Sequence, residues 1–253
     1  MPTDTPFGLD SNFTTSWNGQ CIGGLVFLLP FIEQDNLSRL ILAGAPGDYL
    51  SPNVRRPSWD TIPSFWNNRG AQIKTFLCPS DDANLANADL LIYGYQTSAA
   101  GGFTLSGWTW GAGSNIGKTN YLPIAGRLGI QMDPFRGAMT NRSNTKVATI
   151  GDGSSNTFLY GEYATKTLGG TRYNVTWLES HAFPLAWGAV PPNPVDANWF
   201  MLSSRHTGVM LFTLADGSVR NVRYPGNTAG PQLDTYIFFA GASDGRTFNP
   251  DNL

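Results

Sequence analysis

Residues 208–224, GVMLFTLADGSVRNVRY, limit the fold more than any other stretch of this chain. Apolar and polar residues alternate on both sides of Asp216-Gly217. Alternation with period two suits a half-buried strand, and Asp-Gly supplies the left-handed backbone of a tight turn. The segment predicts an antiparallel hairpin with its tip at Asp216-Gly217 and residue 209 opposite residue 224. A hairpin cannot bury its apolar side alone, so more strands must come from the rest of the sequence. That remainder is turn-rich: 29 Gly and 17 Pro in 253 residues, with only 13% charged residues. The expected fold is α+β and β-dominated, mostly antiparallel, with long Gly/Pro-rich loops, as one domain over residues 1–253.

Several classes of function are disfavoured at once. The formal net charge is −2, and the one basic cluster is Arg55-Arg56, so nucleic acid is not an expected partner. The longest apolar run, residues 21–32, is interrupted by Pro30 and falls short of the roughly 20 residues of a membrane span. The N-terminal stretch MPTDTPFGLD is polar and carries no basic residue, unlike a secretory signal. The chain therefore reads as soluble, either whole or as part of something longer.

AGSNIGKT, residues 112–119, fits a loosened phosphate-binding loop, with Ala112 in place of its first glycine and Gly117, Lys118 and Thr119 in register. Such a loop needs a buried strand before it and a helix after it. The preceding stretch is Gly-rich, and Pro123 with Gly126 would break the helix. Nucleotide binding is not expected.

Elsewhere, PFIEQDNLSRLILA predicts a helix near 30–43, opened by Pro30, with Phe31, Leu37, Leu40 and Ile41 on its apolar stripe. QIKTFLCPSDD reads as a short strand closed by Pro79, and residues 84–120 as short strands mixed with a long loop. Residues 146–164 read as two apolar runs around a turn, and 165–200 as a loop excursion. TYIFFAGA reads as a last strand.

Four segments then line up: LLPFIEQDNL (28–37), FLCPSD (76–81), DGSSNTFLYGE (152–162) and SRHTGVMLFTLADGSV (204–219). Nine residues separate His206 from Asp216-Gly217. Together they resemble the planctomycete DUF1559 proteins with their prepilin-associated H-X9-DG domain, over residues 17–248. The resemblance implies a type IV pilin-like head of the bacterial cell envelope or exterior. It also implies a leader and a long hydrophobic N-terminal helix, which this sequence does not show. Subunits of that kind join through that helix, so the isolated chain is expected to be a monomer or weak dimer.

Four candidate sites follow. Asp152, Ser154 and Asn156 offer oxygens at alternate positions, with Glu162 further on, so the loop is either a calcium site or an ordinary Asx turn. His206 is a ligand, a base or a structural residue that fixes a neighbouring backbone group or carboxylate. Ten residues of strand, about 33 Å, separate it from Asp216, so the two are not expected to share a site. GASDG (241–245) matches G-x-S-x-G, but too few residues follow it for the required helix, and both His181 and His206 precede Ser243. Trp108, Trp110, Trp177, Trp187 and Trp199 either plug loops onto the core or stack on a glycan or a neighbouring subunit. Cys21 and Cys78 are either two buried thiols or a disulfide, the latter in keeping with the envelope location that the resemblance implies.

The reading is a non-catalytic pilin- or pseudopilin-like structural protein that assembles into, or docks onto, a surface or secretion filament. The alternative is an envelope module that binds a polysaccharide or other solute through loop aromatics. No enzyme activity and no cofactor are expected, with calcium the one ion considered.

Overall fold

A computed structural model describes residues 20–51, 54, 56–96, 103–110, 113–129, 133–140, 143–179, 182–191, 199–224 and 231–246. The readings made on residues 1–19, Ala112, His181 and 192–198 lie outside the described residues.

Among the described residues eight strands form two four-stranded sheets. The first contains β1 (Ala88–Gln96), β2 (Phe103–Trp110), β5 (Lys166–Leu168) and β6 (Thr171–Val175), in the order β2-β1-β6-β5. The second contains β3 (Tyr121–Pro123), β4 (Phe158–Glu162), β7 (Val209–Leu214) and β8 (Val219–Arg223), in the order β3-β4-β7-β8. Between these strands all pairings are antiparallel except β1 with β6. The architecture is thus α+β and β-dominated, as expected, with the strands divided between two sheets.

The hairpin at 208–224 forms as β7 and β8, one residue out of the expected register. Val209 faces Arg223, not Tyr224. The Leu214 N–H donates to Ser218 O at 2.9 Å and the Gly217 N–H to Leu214 O at 3.0 Å. The loop therefore holds three residues, with Gly217 at φ +84°, and the extra one shifts the register. Asp216 closes the turn by accepting the Ser218 N–H at 2.9 Å.

Other elements depart from the sequence reading. The single helix near 30–43 is two pieces: a 3₁₀ segment, Gly24–Phe31, and α1, Asp35–Leu42. Pro30 lies inside the first piece, and Glu33 at φ +61° breaks the path between them. Of the expected stripe, Ile41 is buried, while Phe31 and Leu40 face solvent. QIKTFLCPSDD is not a strand but a 3₁₀ turn, Lys74–Phe76, anchored by buried Ile73 and Phe76. Residues 84–120 hold the longest strand pair, β1 with β2. Of the two runs in 146–164 only the second, β4, is a strand; Val147–Thr149 is an exposed 3₁₀ turn. The 165–200 excursion contains the β5–β6 hairpin, which turns through Gly169 and Gly170 at φ +57° and +81°. TYIFFAGA falls largely in α3, Pro231–Ala240. Tyr236, Phe239 and Ala240 are buried at i, i+3 and i+4, which is the helical period.

Two cores meet at β1. Leu90 and Ile92 join the cluster that β4, β7 and α3 build around Phe158, Phe212 and Tyr236. Leu91, on the opposite face, joins the cluster of Leu25, Leu29, Trp59, Phe65 and Trp177. In the first core Phe158 stacks on Phe212 at 4.1 Å, and Tyr236 meets Phe212 edge-on at 5.7 Å. In the second, α1 packs on α2 (Pro63–Asn68), whose Pro63 sits in its first turn.

Gly117 marks the tightest approach in the second core. A Cβ there would sit 2.1 Å from the Ala71 carbonyl and 2.3 Å from the Trp177 indole nitrogen. Those two atoms are bonded to each other at 2.9 Å and cannot both move aside. Gly117→Ala is expected to lower unfolding stability by about 1–3 kcal/mol, the usual cost of overpacking, in a urea titration. An unchanged midpoint would show that this contact opens freely.

Candidate functional site

The site is built where three distant segments meet. Cys78 follows the 3₁₀ turn at 74–76, and its N–H donates to Asn120 Oδ1 at 2.9 Å. Glu162 ends β4 and is buried; its Oε2 accepts the Leu211 N–H of β7 at 2.7 Å. His206 precedes β7, and its own N–H is tied to Ser204 Oγ at 3.2 Å. The side chains converge: His206 Nε2 lies 3.2 Å from Glu162 Oε1 and 3.9 Å from Cys78 Sγ. One ligand-type atom from each of the three lies within 4.8 Å of the others. Cys78 and Glu162 are buried and His206 is half-buried. Burial pushes the Cys78 thiol up, and the Glu162 charge adds to that. A thiol, a carboxylate and an imidazole this close can share a proton or a cation.

A second link runs beside the first. Asp81, three residues after Cys78, buries its carboxylate among four donors. Oδ1 accepts Arg205 Nε at 2.9 Å; Oδ2 accepts Asn120 Nδ2 at 2.7 Å, the Thr165 N–H at 3.0 Å and Thr165 Oγ1 at 2.7 Å. Burial alone raises its pKa, but the bonds from Arg205, Thr165 and Asn120 outweigh this and hold it below the ordinary value. Arg205 and His206 thus point to different partners in the same two segments.

The sequence leaves His206 as a ligand, a base or a residue that fixes a neighbouring backbone group or carboxylate; the structure sets its ring against the Glu162 carboxylate. Its distance from Asp216 also holds, since the two occupy opposite ends of β7. Cys78 was not foreseen as its neighbour, nor Asp81 and Arg205 as a pair. Each juxtaposition joins residues more than 100 apart, and local pattern gives no sign of it.

The oxygen-rich loop at 152–156 does not gather all its candidates. Asp152 spends both oxygens on backbone, accepting the Asp244 and Gly245 N–H groups at 2.8 Å each. Asn156 donates to Asp152 O at 3.2 Å, and Ser154 O accepts the Asp216 N–H at 3.1 Å. Glu162 belongs to the His206 cluster at the end of β4. The loop therefore ties α3's following turn to the hairpin tip. In that turn Ser243 Oγ is bonded to Ala242 O and accepts the Gly151 N–H.

Residues 113–119 hold a carboxylate of their own chain. Lys118 pairs with Asp89, Ser114 Oγ donates to Asp89, and the Ile116 N–H reaches Asp89 Oδ2 at 3.1 Å. Lys118 is buried, and burial pulls its pKa down to about 8. The groups that would face a phosphate face Asp89, on β1.

The cysteines are both free, and the disulfide between Cys21 and Cys78 is not formed. Cys21 sits in the second core, where burial pushes its thiol up to about 12. Most described tryptophans plug the fold. Trp177 and Trp59 are buried; Trp110, Trp187 and Trp199 are partly buried; Trp108 is exposed. A cleft of about 370 Å³ is lined by Phe27, Tyr49, Met139 and Asn144 among others, and by none of the described tryptophans. Trp59 and Trp110 point their indole N–H groups at Glu179 Oε1, at 3.1 and 3.0 Å.

Residues 3–225 match the family model described as protein of unknown function (DUF1559). No curated protein and no solved structure matches the chain. The family match spans most of the sequence, and the chain belongs to the DUF1559 family.

Glu179 yields a prediction. Burial pushes its carboxyl up to about 7, although Trp110, Trp59 and Thr176 donate to it and pull the other way. A carboxyl with a folded pKa above its unfolded one stabilises the fold only while protonated. Stability should fall as pH rises from about 4.5 to 7 and then level off, by about 3 kcal/mol at roughly 1.4 kcal/mol per unit. Glu179→Gln should remove that slope, together with a change in tryptophan fluorescence centred near pH 7. A fluorescence titration identical in both proteins would contradict this.

Proposed function

From membership of the DUF1559 family we propose that this chain is the pilin- or pseudopilin-like structural head of a bacterial envelope protein. It assembles with like subunits into a surface or secretion filament, or docks onto one, and catalyses nothing. The observation that carries the reading is the exposure of large apolar side chains on the first helical segments. Leu25, Val26 and Leu29 are buried, whereas Phe27, Phe31 and Leu40 are 47%, 83% and 56% exposed. A phenylalanine that exposed suits contact with another subunit. Low net charge leaves little repulsion between copies.

Immunogold electron microscopy of cells that produce the protein is the test. Label on envelope-attached filaments or on the outer surface is expected, and Phe31→Asp should reduce it on filaments. Label confined to the cell interior would overturn the reading. The isolated chain should scatter light as a monomer or weak dimer at micromolar concentration; a stable large oligomer would show that these residues assemble by themselves, without a joining N-terminal helix.

A further inference from the structure

We propose that Cys78, Glu162 and His206 form a binding site for one divalent transition-metal ion, zinc by their ligand chemistry. The three come from separate segments and aim a sulfur, an oxygen and a nitrogen at one point, all within 4.8 Å of one another. Zinc bonds of about 2.3 Å to sulfur and about 2.0–2.2 Å to nitrogen and oxygen put tetrahedral ligands roughly 3.3–3.7 Å apart. The two separations at His206, 3.2 Å to Glu162 and 3.9 Å to Cys78, need to change by only a few tenths of an ångström.

Glu162 supplies an independent sign. Its side chain is 3% exposed, and Oε1 has no hydrogen bond although it faces the cluster. Such an oxygen is costly to bury unless something positive meets it. Its other oxygen is held by the Leu211 N–H, so the carboxylate is oriented in the way outer contacts orient metal ligands. The Cys78 backbone is fixed by Asn120, and the Arg205–Asp81 pair ties the loop of Cys78 to the segment of His206. The backbone around the site is thus held in place without an ion.

The donor set discriminates among ions. Thiolate and imidazole favour zinc and its first-row neighbours, whereas calcium and magnesium take oxygen ligands. Three protein ligands leave a fourth position for water, and the His206 side chain, 32% exposed, keeps the cluster within reach of solvent. Binding requires the Cys78 thiol to release its proton to water as the sulfur–metal bond forms.

The test is a cobalt(II) titration of the purified full chain after chelator treatment. One equivalent should bind, with a near-ultraviolet thiolate-to-cobalt charge-transfer band, and zinc should displace it. Cys78→Ser should abolish the band, and both Cys78→Ser and His206→Gln should weaken zinc more than about tenfold. A folded Cys21→Ser variant should keep the band, and zinc should raise the melting temperature of the wild-type chain. No thiolate band in the wild type, or a band that survives Cys78→Ser or is lost in a folded Cys21→Ser variant, overturns the proposal. The wild-type titration decides even if a variant fails to fold.

Discussion

The Asp81 carboxylate is the contact on which the arrangement of this molecule rests. It is buried, and it takes hydrogen bonds from Arg205, Asn120 and Thr165. Asn120 precedes β3, Thr165 precedes β5, and Arg205 precedes β7, so one side chain gathers the entries to three strands in two sheets. A buried charge held by fewer partners would cost several kcal/mol. With four donors its cost is offset, and the same donors fix where Cys78, Glu162 and His206 meet.

The pattern recurs elsewhere. Only 13% of residues are charged, yet several of them are inside. Lys118 with Asp89 pins the loop at 113–119 onto β1, and Arg127 with buried Asp133 closes the loop after β3 at 2.7 Å. Asp152 ties the turn after α3 to the loop before β4. Long Gly- and Pro-rich connections bury too little apolar surface to hold themselves. The three connections named above are each held by a buried polar group with defined partners, which fixes their paths.

Features set by local pattern were legible in the sequence. Alternation around Asp216-Gly217 gave the hairpin, and the proline after the 112–119 loop argued correctly for something other than a helix there. Short apolar runs were not legible: residues 235–242 read as a strand because a few bulky residues carry both periods, and only the packing of Tyr236 and Phe239 on Phe158 selects the helix. Of the helix expected near 30–43 only Asp35–Leu42 is α-helical, and two residues of its expected apolar stripe, Phe31 and Leu40, have no core beneath them. The cluster at His206 was legible only in part. The segments that meet there were all visible, but their meeting depends on Asp81 and on strand order, which sequence spacing does not encode.

Native-state hydrogen exchange tests the role of Asp81 most directly. The amides of Cys78, Thr165 and Leu211 are bonded to Asn120, Asp81 and Glu162 respectively, and they lie in three different segments. If the buried junction is one cooperative unit, these amides should open with the same free energy, and Asp81→Asn should lower all three together. Three unequal opening energies, or a loss confined to Thr165, would contradict the account and show that the segments are held independently.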